Sequence, residues 1–587
     1  MTSETHAGGG TEWINYDAAG NDTLVTPPRE YPIKQKFDAA GRLIRRIVPE
    51  VFYPASACSL AIEFEYCNYS FPTIEGTNLC IAADSQYFAY DGAGNLATAA
   101  NNWAKSLRSY APSGVMTGET QYVRTYDTES PDPCGGGDRH ATIEGLNLSE
   151  FWHVYAVGST FDLAGRRTSM TLPNAGYGGL CYPTNCVQAY KYNAVTGTLD
   201  TLVHPMDSAY AVGTGRTIFT YDAQGRLTQT KHAAVSANLV STLTYDADGR
   251  VVGREGPNHQ DSLAYDAAGR IVGGLVPGMS LRFGYSGMGA LNWAEGASPE
   301  ITAEEVWTDA LGTRLKIADV DLHDLVDRTR LNVTDPYTGR LSQVTLSAAN
   351  NTWYDYHFEQ GYDASGNTIS SWEFDTPSEG VYHLEEDRSY FSADEKLTYY
   401  NRTVGFWFTQ NNIVGSFDEY RYDAFGRRVL TRTRKTGYCP SPCDAFIERT
   451  AYDGDQVVAE FRSSGKIGVG PEYLEGDGLV APGDDATLYG RVYSFHAQGI
   501  DHPAYVVKQG QAWPGIGGVA PHANYQGAYA YGTFSNGSLC VAAGDYCPTW
   551  PGYNQGVFGS NPFAGTQDFT VWFGSLLRGR TDASGMT

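Results

Sequence analysis

Apolar and polar residues alternate along most of the chain in short runs, and each run ends in a cluster of turn-forming residues. In Phe219-Thr-Tyr221, Leu243-Thr-Tyr245, Leu263-Ala-Tyr265 and Tyr420-Arg-Tyr422 the large side chains stand two positions apart. That period places them on one face of a strand and the residues between them on the other. The pattern predicts half-buried antiparallel strands with one apolar and one polar face.

The runs are punctuated by one phrase: an aromatic residue, Asp, two variable residues and Gly, usually followed by Arg or Asn. Strict copies are Tyr16, Asp17, Gly20; Phe37, Asp38, Gly41; Tyr90, Asp91, Gly94; Phe161, Asp162, Gly165; and Tyr221, Asp222, Gly225. The others are Tyr245, Asp246, Gly249; Tyr265, Asp266, Gly269; Tyr362, Asp363, Gly366; and Tyr422, Asp423, Gly426. Degenerate copies include Tyr192-Asn193 with Gly197, Tyr285 with Gly289, and Tyr452-Asp453. Copies starting at 221, 245, 265 and 285 are so close together that each unit can be only a hairpin.

Asp at the first turn position can accept a hydrogen bond from the backbone N–H two residues on, and Gly three residues later supplies the positive φ of a loop closed by a bulge. Counting from that loop pairs Tyr221 with Leu227, Tyr245 with Val251 and Tyr265 with Ile271, with Asp246 facing Arg250 on the opposite, polar face. One hairpin is marginal in water, so the units must stack. Strand twist favours a coiled strip over a flat one. The predicted fold is all-β: a long spiralling antiparallel sheet of repeat hairpins.

Composition fits that picture: 67 Gly and 41 Tyr among 587 residues are in large part the fixed letters of the turn. A formal net charge of −25 argues against nucleic acid or an anionic membrane surface as partner. No run approaches the roughly 18 apolar residues of a membrane-spanning helix, and residues 1–10 lack the basic start and apolar centre of an export signal. Three close cysteine pairs, Cys181 with Cys186, Cys439 with Cys443 and Cys540 with Cys547, predict disulfides and an oxidising destination. Cys58, Cys67, Cys80 and Cys134 have no assigned pairing. Insertions at 52–85, 128–150, 434–448 and 510–560 interrupt the short spacing and are expected at the surface or the ends.

Sharper chemistry was weighed at several places. Asp319, Asp321, Asp324 and Asp327 lack the Asp-x-Asp-x-Asp-Gly order of a calcium loop and sit in a degenerate repeat. The twelve histidines are scattered; His496 and His502 have no zinc spacing, so surface or turn positions are expected. Ser286 misses the nucleophile elbow by one position, and Lys466 lacks the phosphate-loop context. No catalytic, cofactor or metal residues are assigned. Repeat aromatics are expected in the core, which leaves Trp513, Trp550 and Tyr553 as candidates for sugar stacking.

The turn phrases resemble the YD repeats of the Rhs family, similar in this respect to toxin-complex shells and teneurin YD shells, over most of residues 12–460. Residues 452–587 resemble the start of the repeat-associated core, through Tyr452-Asp-Gly-Asp-Gln-Val-Val-Ala-Glu460, Phe495 to Val507, His522 to Gly527 and Trp572 to Gly585. The division is therefore 1–451, shell, and 452–587, partial core. The resemblance implies that the spiralling sheet forms a hollow shell, complete or partial, which is the non-enzymatic shell of a secreted polymorphic toxin, reached by a route the sequence does not show. Its implied partners are the chain's own C-terminal toxin cargo or the secretion machinery. It also places the self-cleavage elements and the payload beyond residue 587. The alternative it leaves is a cell-surface adhesion or carbohydrate-binding protein whose partners are surface glycans.

Overall fold

The computed structural model describes residues 2–5, 10–53, 79–124, 152–173, 186–205, 215–233, 238–256, 259–276, 279–285, 287, 289, 291–297, 303–308, 314–321, 326–334, 340–348, 355–378, 381–406, 414–437, 445–464, 490–497, 503–510, 513–523, 529–534 and 539–540. Every regular element in them is a β-strand. A single sheet takes 38 strands, and Val51–Tyr53 with Leu79–Ile81 forms a separate two-stranded one. Along the large sheet each strand pairs antiparallel with the next in the chain; Leu43–Val48 skips the small sheet to pair with Asp84–Tyr90. Among the described residues, no pairing joins Thr2–Thr5 to Leu539–Cys540, so the strip stays open and is not a barrel. This is the all-β architecture the alternation predicts, as a partial shell.

Register follows the count made from the turn phrase. Tyr221 faces Leu227, Tyr245 faces Val251 and Tyr265 faces Ile271, each beside a bulge one residue upstream. The bulge exists because a three-residue loop leaves one strand a residue longer than its partner. Gly249 closes the loop at φ 84°, in the left-handed region where a side chain is strained.

The strip winds until strands near residues 391–496 lie against strands near 29–204. One core cluster spans both laps: Tyr155, Met170, Leu202 and Phe219 belong to the first, and Tyr452, Val458, Phe461 and Phe495 to the second. Tyr155 and Phe461 stack at 4.5 Å between ring centres. A smaller cluster joins Val48, Val51 and Ile81 to Ala393 and Tyr399. The first insertion, 52–85, was expected at the surface or the ends; Phe52 is exposed, while Tyr53 and the buried Ile81 pack into this contact beside Val51. The reason is that Tyr53 and Ile81 supply apolar cover that the second lap needs beneath it.

Strands Arg314–Asp321 and Val326–Thr334 pair as a hairpin across 322–325, which places Asp319, Asp321 and Asp327 on its strands; Asp324 lies outside the described residues. The boundary drawn at residue 452 falls inside strand Ala445–Asp453, which pairs onward with Gln456–Ser464. Among the described residues, no helix is long and apolar enough to cross a membrane.

Candidate functional site

Two features concentrate polar chemistry: the row of repeat turns along one rim of the strip, and the seam between its laps. In the turn at Asp246 the backbone closes twice, Gly249 N–H donating to Asp246 O (3.1 Å) and Asp246 N–H to Arg250 O (2.9 Å). The carboxylate does the rest. Asp246 Oδ1 accepts from the N–H groups of Asp248 and Arg250, and Oδ2 accepts from Arg250 Nε at 2.7 Å. The arrangement recurs at Asp38, Asp162, Asp222, Asp266 and Asp423 with Arg, and at Asp17, Asp91 and Asp363 with Asn. The donors lower the pKa: the Arg42 N–H and guanidinium hold Asp38 below the usual carboxylate range, and Asn21 does the same for Asp17.

Each turn is also tied to the next. The Tyr265 hydroxyl donates to Val251 O (2.7 Å) and that of Tyr285 to Ile271 O (2.7 Å), and the rings of Tyr90, Tyr192, Tyr221, Tyr245, Tyr422 and Tyr452 reach back in the same way. Arg226 lies over the Tyr245 ring at 4.6 Å, Arg250 over Tyr265 at 4.9 Å and Arg270 over Tyr285 at 4.6 Å. The arginine was expected across from its Asp on a separate polar face. It bridges instead from its own Asp to the next tyrosine, because a guanidinium can hold a carboxylate edge-on and cover a ring with its plane. One face of each of these rings is therefore covered by a guanidinium.

At the seam, backbone groups of second-lap turns meet side chains of the first lap. Phe391 N–H donates to Tyr53 Oη, and the Tyr53 hydroxyl donates to Phe391 O. Asn101 Nδ2 donates to Tyr422 O (2.8 Å), Gln121 makes a two-way amide contact with Tyr452, and Gln188 Nε2 donates to His496 O (3.2 Å). The sequence separations of these four contacts are 338, 321, 331 and 308, so one lap is a little over 300 residues and the laps advance in step.

Charges are buried there in matched sets. Arg427 bonds Glu119 (2.6 Å) and its own turn Asp423 (2.7 Å), with Ser106 Oγ at 3.1 Å. Arg167 pairs with Asp453 at 2.6 Å. Burial alone would raise Asp394; Lys396 and Arg46 outweigh it and bring that carboxyl down to about 2. Asp84 differs. Burial raises its pKa, although Gln86, Asn101 and the Asn102 N–H all donate to it.

Several of these groups escape sequence reasoning. The turns Tyr110 to Gly114 and Phe391 to Lys396 were not singled out: Ala111 replaces Asp in the first, Ser392 in the second, and Glu395 takes the positive φ of 64°. The aromatic and the spacing are the signal that remains. His153, His204 and His496, expected at the surface, are buried. His496 Nε2 lies 2.9 Å from Val457 O and His204 Nε2 lies 2.8 Å from Thr217 Oγ1, so hydrogen bonds make burial tolerable. Cys186 is buried and disulfide-bonded. Cys181, Cys439, Cys443 and Cys547 lie outside the described residues, as do Ser286, Lys466, His502, Trp550 and Tyr553; Cys540 and Trp513 are described by their strands alone. Among the described residues no cluster of three or more His, Cys, Asp or Glu could hold a metal.

No family model matches the chain, and no curated protein matches it. Solved structures do. A TcdB2–TccC3 complex without its hypervariable C-terminal region aligns with 92% of this chain at a TM-score of 0.53 and 13% identity. A TcdB2–TccC3–Cdc42 structure aligns with 90% at 0.51 and 13%. The Tc holotoxin pore from Photorhabdus luminescens aligns with 92% at 0.50 and 12%. The chain spans about a quarter of those proteins: 24%, 23% and 25% of their lengths. The shared property is the fold.

Proposed function

We propose that this chain is a shell segment that encloses a polypeptide and acts as a container rather than as an enzyme. The observation that supports it most is the docking of the second lap on the first through contacts separated by 286 to 363 residues. A strip that only needed stability could end as a stack of hairpins. A second lap laid on the first makes a wall, which is useful when the wall has something to exclude, and solved structures with the same fold contain TccC3. In this reading the chain belongs to a secreted Rhs-type toxin, its cargo is sequence C-terminal to residue 587, and the turn row and seam keep the wall rigid.

The test is protease protection in the natural full-length polypeptide. Sequence following residue 587 should resist a broad-specificity protease while the shell is folded and become cleavable when denaturant unfolds the shell. Cleavage of that sequence at the rate found for the same segment expressed alone would contradict enclosure.

A further inference from the structure

The rim arginines are all committed to their turn carboxylates, but another set of cations is not. Opposite partners in an antiparallel ladder share a face, so the register can be followed from strand to strand. Lys36 faces Arg45, Arg45 faces Tyr87, Tyr87 faces Ala100, Ala100 faces Lys105, and Lys105 faces Tyr122. Tyr122 faces Val154; Arg124 is two positions along on the same face. Through Gly158, Thr171 and Val187 the face continues to Lys191 and then, through Val203, to Arg216.

Eleven consecutive strands, from Ile33–Phe37 to Arg216–Tyr221, thus carry seven cations on one face over roughly 50 Å, at about 4.8 Å between neighbouring strands, with exposed Lys34 two positions from Lys36. Asp84 and Glu119 stand on the other face of these strands, and one carboxylate, Asp200, is the exposed bulge residue between Leu199 and Thr201, its Oδ2 accepting from Thr201 Oγ1 across from Lys191. None of these cations makes an ion pair among the described residues, and Arg45 lies over the Tyr87 ring at 5.2 Å. Lys36, Arg45, Lys191 and Arg216 are exposed, and Lys105 and Arg124 are half-buried. Between them lie exposed apolar groups, Tyr87, Val154 and Val187 at 38%, 51% and 41%.

Such a face is unexpected on a chain of net charge −25. Seven cations against a single carboxylate at a bulge is not the evenly mixed pattern of a face kept only for solubility. Unpaired cations interleaved with apolar side chains fit a partner with anionic and apolar groups in alternation. We infer that this face of the first lap is a docking surface for an acidic polypeptide segment. A polypeptide is favoured over nucleic acid because the cations are separated by apolar residues rather than set in a continuous track. The inference stands on this face alone and does not depend on enclosure of cargo.

The test uses fluorescence anisotropy with the full chain and a labelled oligo-L-glutamate peptide, with an oligo-L-lysine of equal length and an oligodeoxythymidine of equal charge as comparisons. Oligoglutamate should bind, weaken with added salt, and outcompete the oligonucleotide. Neutralising the face with Lys36→Gln, Arg45→Gln and Lys105→Gln together should weaken binding at least about tenfold. A control with the same net charge, Ala40→Glu, Gln224→Glu and Ala268→Glu, alters exposed rim positions where Asp248 already stands in a sister turn, and should bind nearly as the parent does. Absence of oligoglutamate binding, equal weakening in the control, or tighter binding of the oligonucleotide would overturn the inference.

Discussion

At the scale of single residues, the turn aspartate closes its own loop through two backbone bonds and fixes the arginine that covers the next ring. Its carboxyl is held below the usual value of 3.8, so its contribution is present above that pH and is lost as the pH falls through the depressed value. Asp84 runs the other way. Its folded value is raised by burial, so the folded chain gains stability as the pH drops through that value towards 3.8. In Asp84→Asn that gain is absent, and the melting-temperature difference between parent and variant should shift in favour of the parent as the pH is lowered from neutrality. A difference that stays constant with pH would contradict the assignment. Gly249→Ala puts a side chain at φ 84° and 3.6 Å from Arg226 Nη1, and should cost about 1–2 kcal/mol in chemical denaturation.

The hairpin is the element that the sequence displays best. Aromatic, Asp, Gly and the following Arg or Asn specify a loop length, a loop length specifies a bulge, and the bulge sets the register of Tyr245 on Val251. Where a letter changes, the hairpin survives because backbone bonds carry it: at Tyr110 to Gly114 the loop closes through Gly114 N–H to Ala111 O without any carboxylate. What the sequence does not display is the link between hairpins, since the Arg250 guanidinium and the Tyr265 ring meet only once the strands are side by side. Tyr265→Phe removes the bond to Val251 O and keeps the ring; the expected loss is about 1 kcal/mol, seen as a lower denaturation midpoint with faster amide exchange at Val251 and Gly253. Unchanged stability would show that the hydroxyl is incidental to stacking.

For the whole molecule, one continuous strip replaces the several domains that length alone suggests, and its closure rests on contacts that no local pattern announces. Asn101, Gln121 and Gln188 are ordinary strand and loop residues until a second lap more than 300 positions later places a backbone carbonyl against each. Burial of His204 and His496 was missed for the same reason. The Arg427 cluster makes this closure costly to disturb. Arg427→Met leaves Glu119 and Asp423 facing each other in a buried site, at an expected cost of about 3–5 kcal/mol, and Glu119→Gln in the same chain should recover part of the loss by removing one of the two charges. Failure of the second change to restore stability would mean that the cluster is not held by charge balance.

The winding itself is open to direct measurement by electron cryo-microscopy of the full chain. The account predicts one uninterrupted antiparallel strip in which the turns at Phe391, Tyr422 and Tyr452 rest on Tyr53, Asn101 and Gln121. A map with residues 29–204 and 391–496 in separate sheets, or a straight rod of hairpins with no second lap, would contradict it.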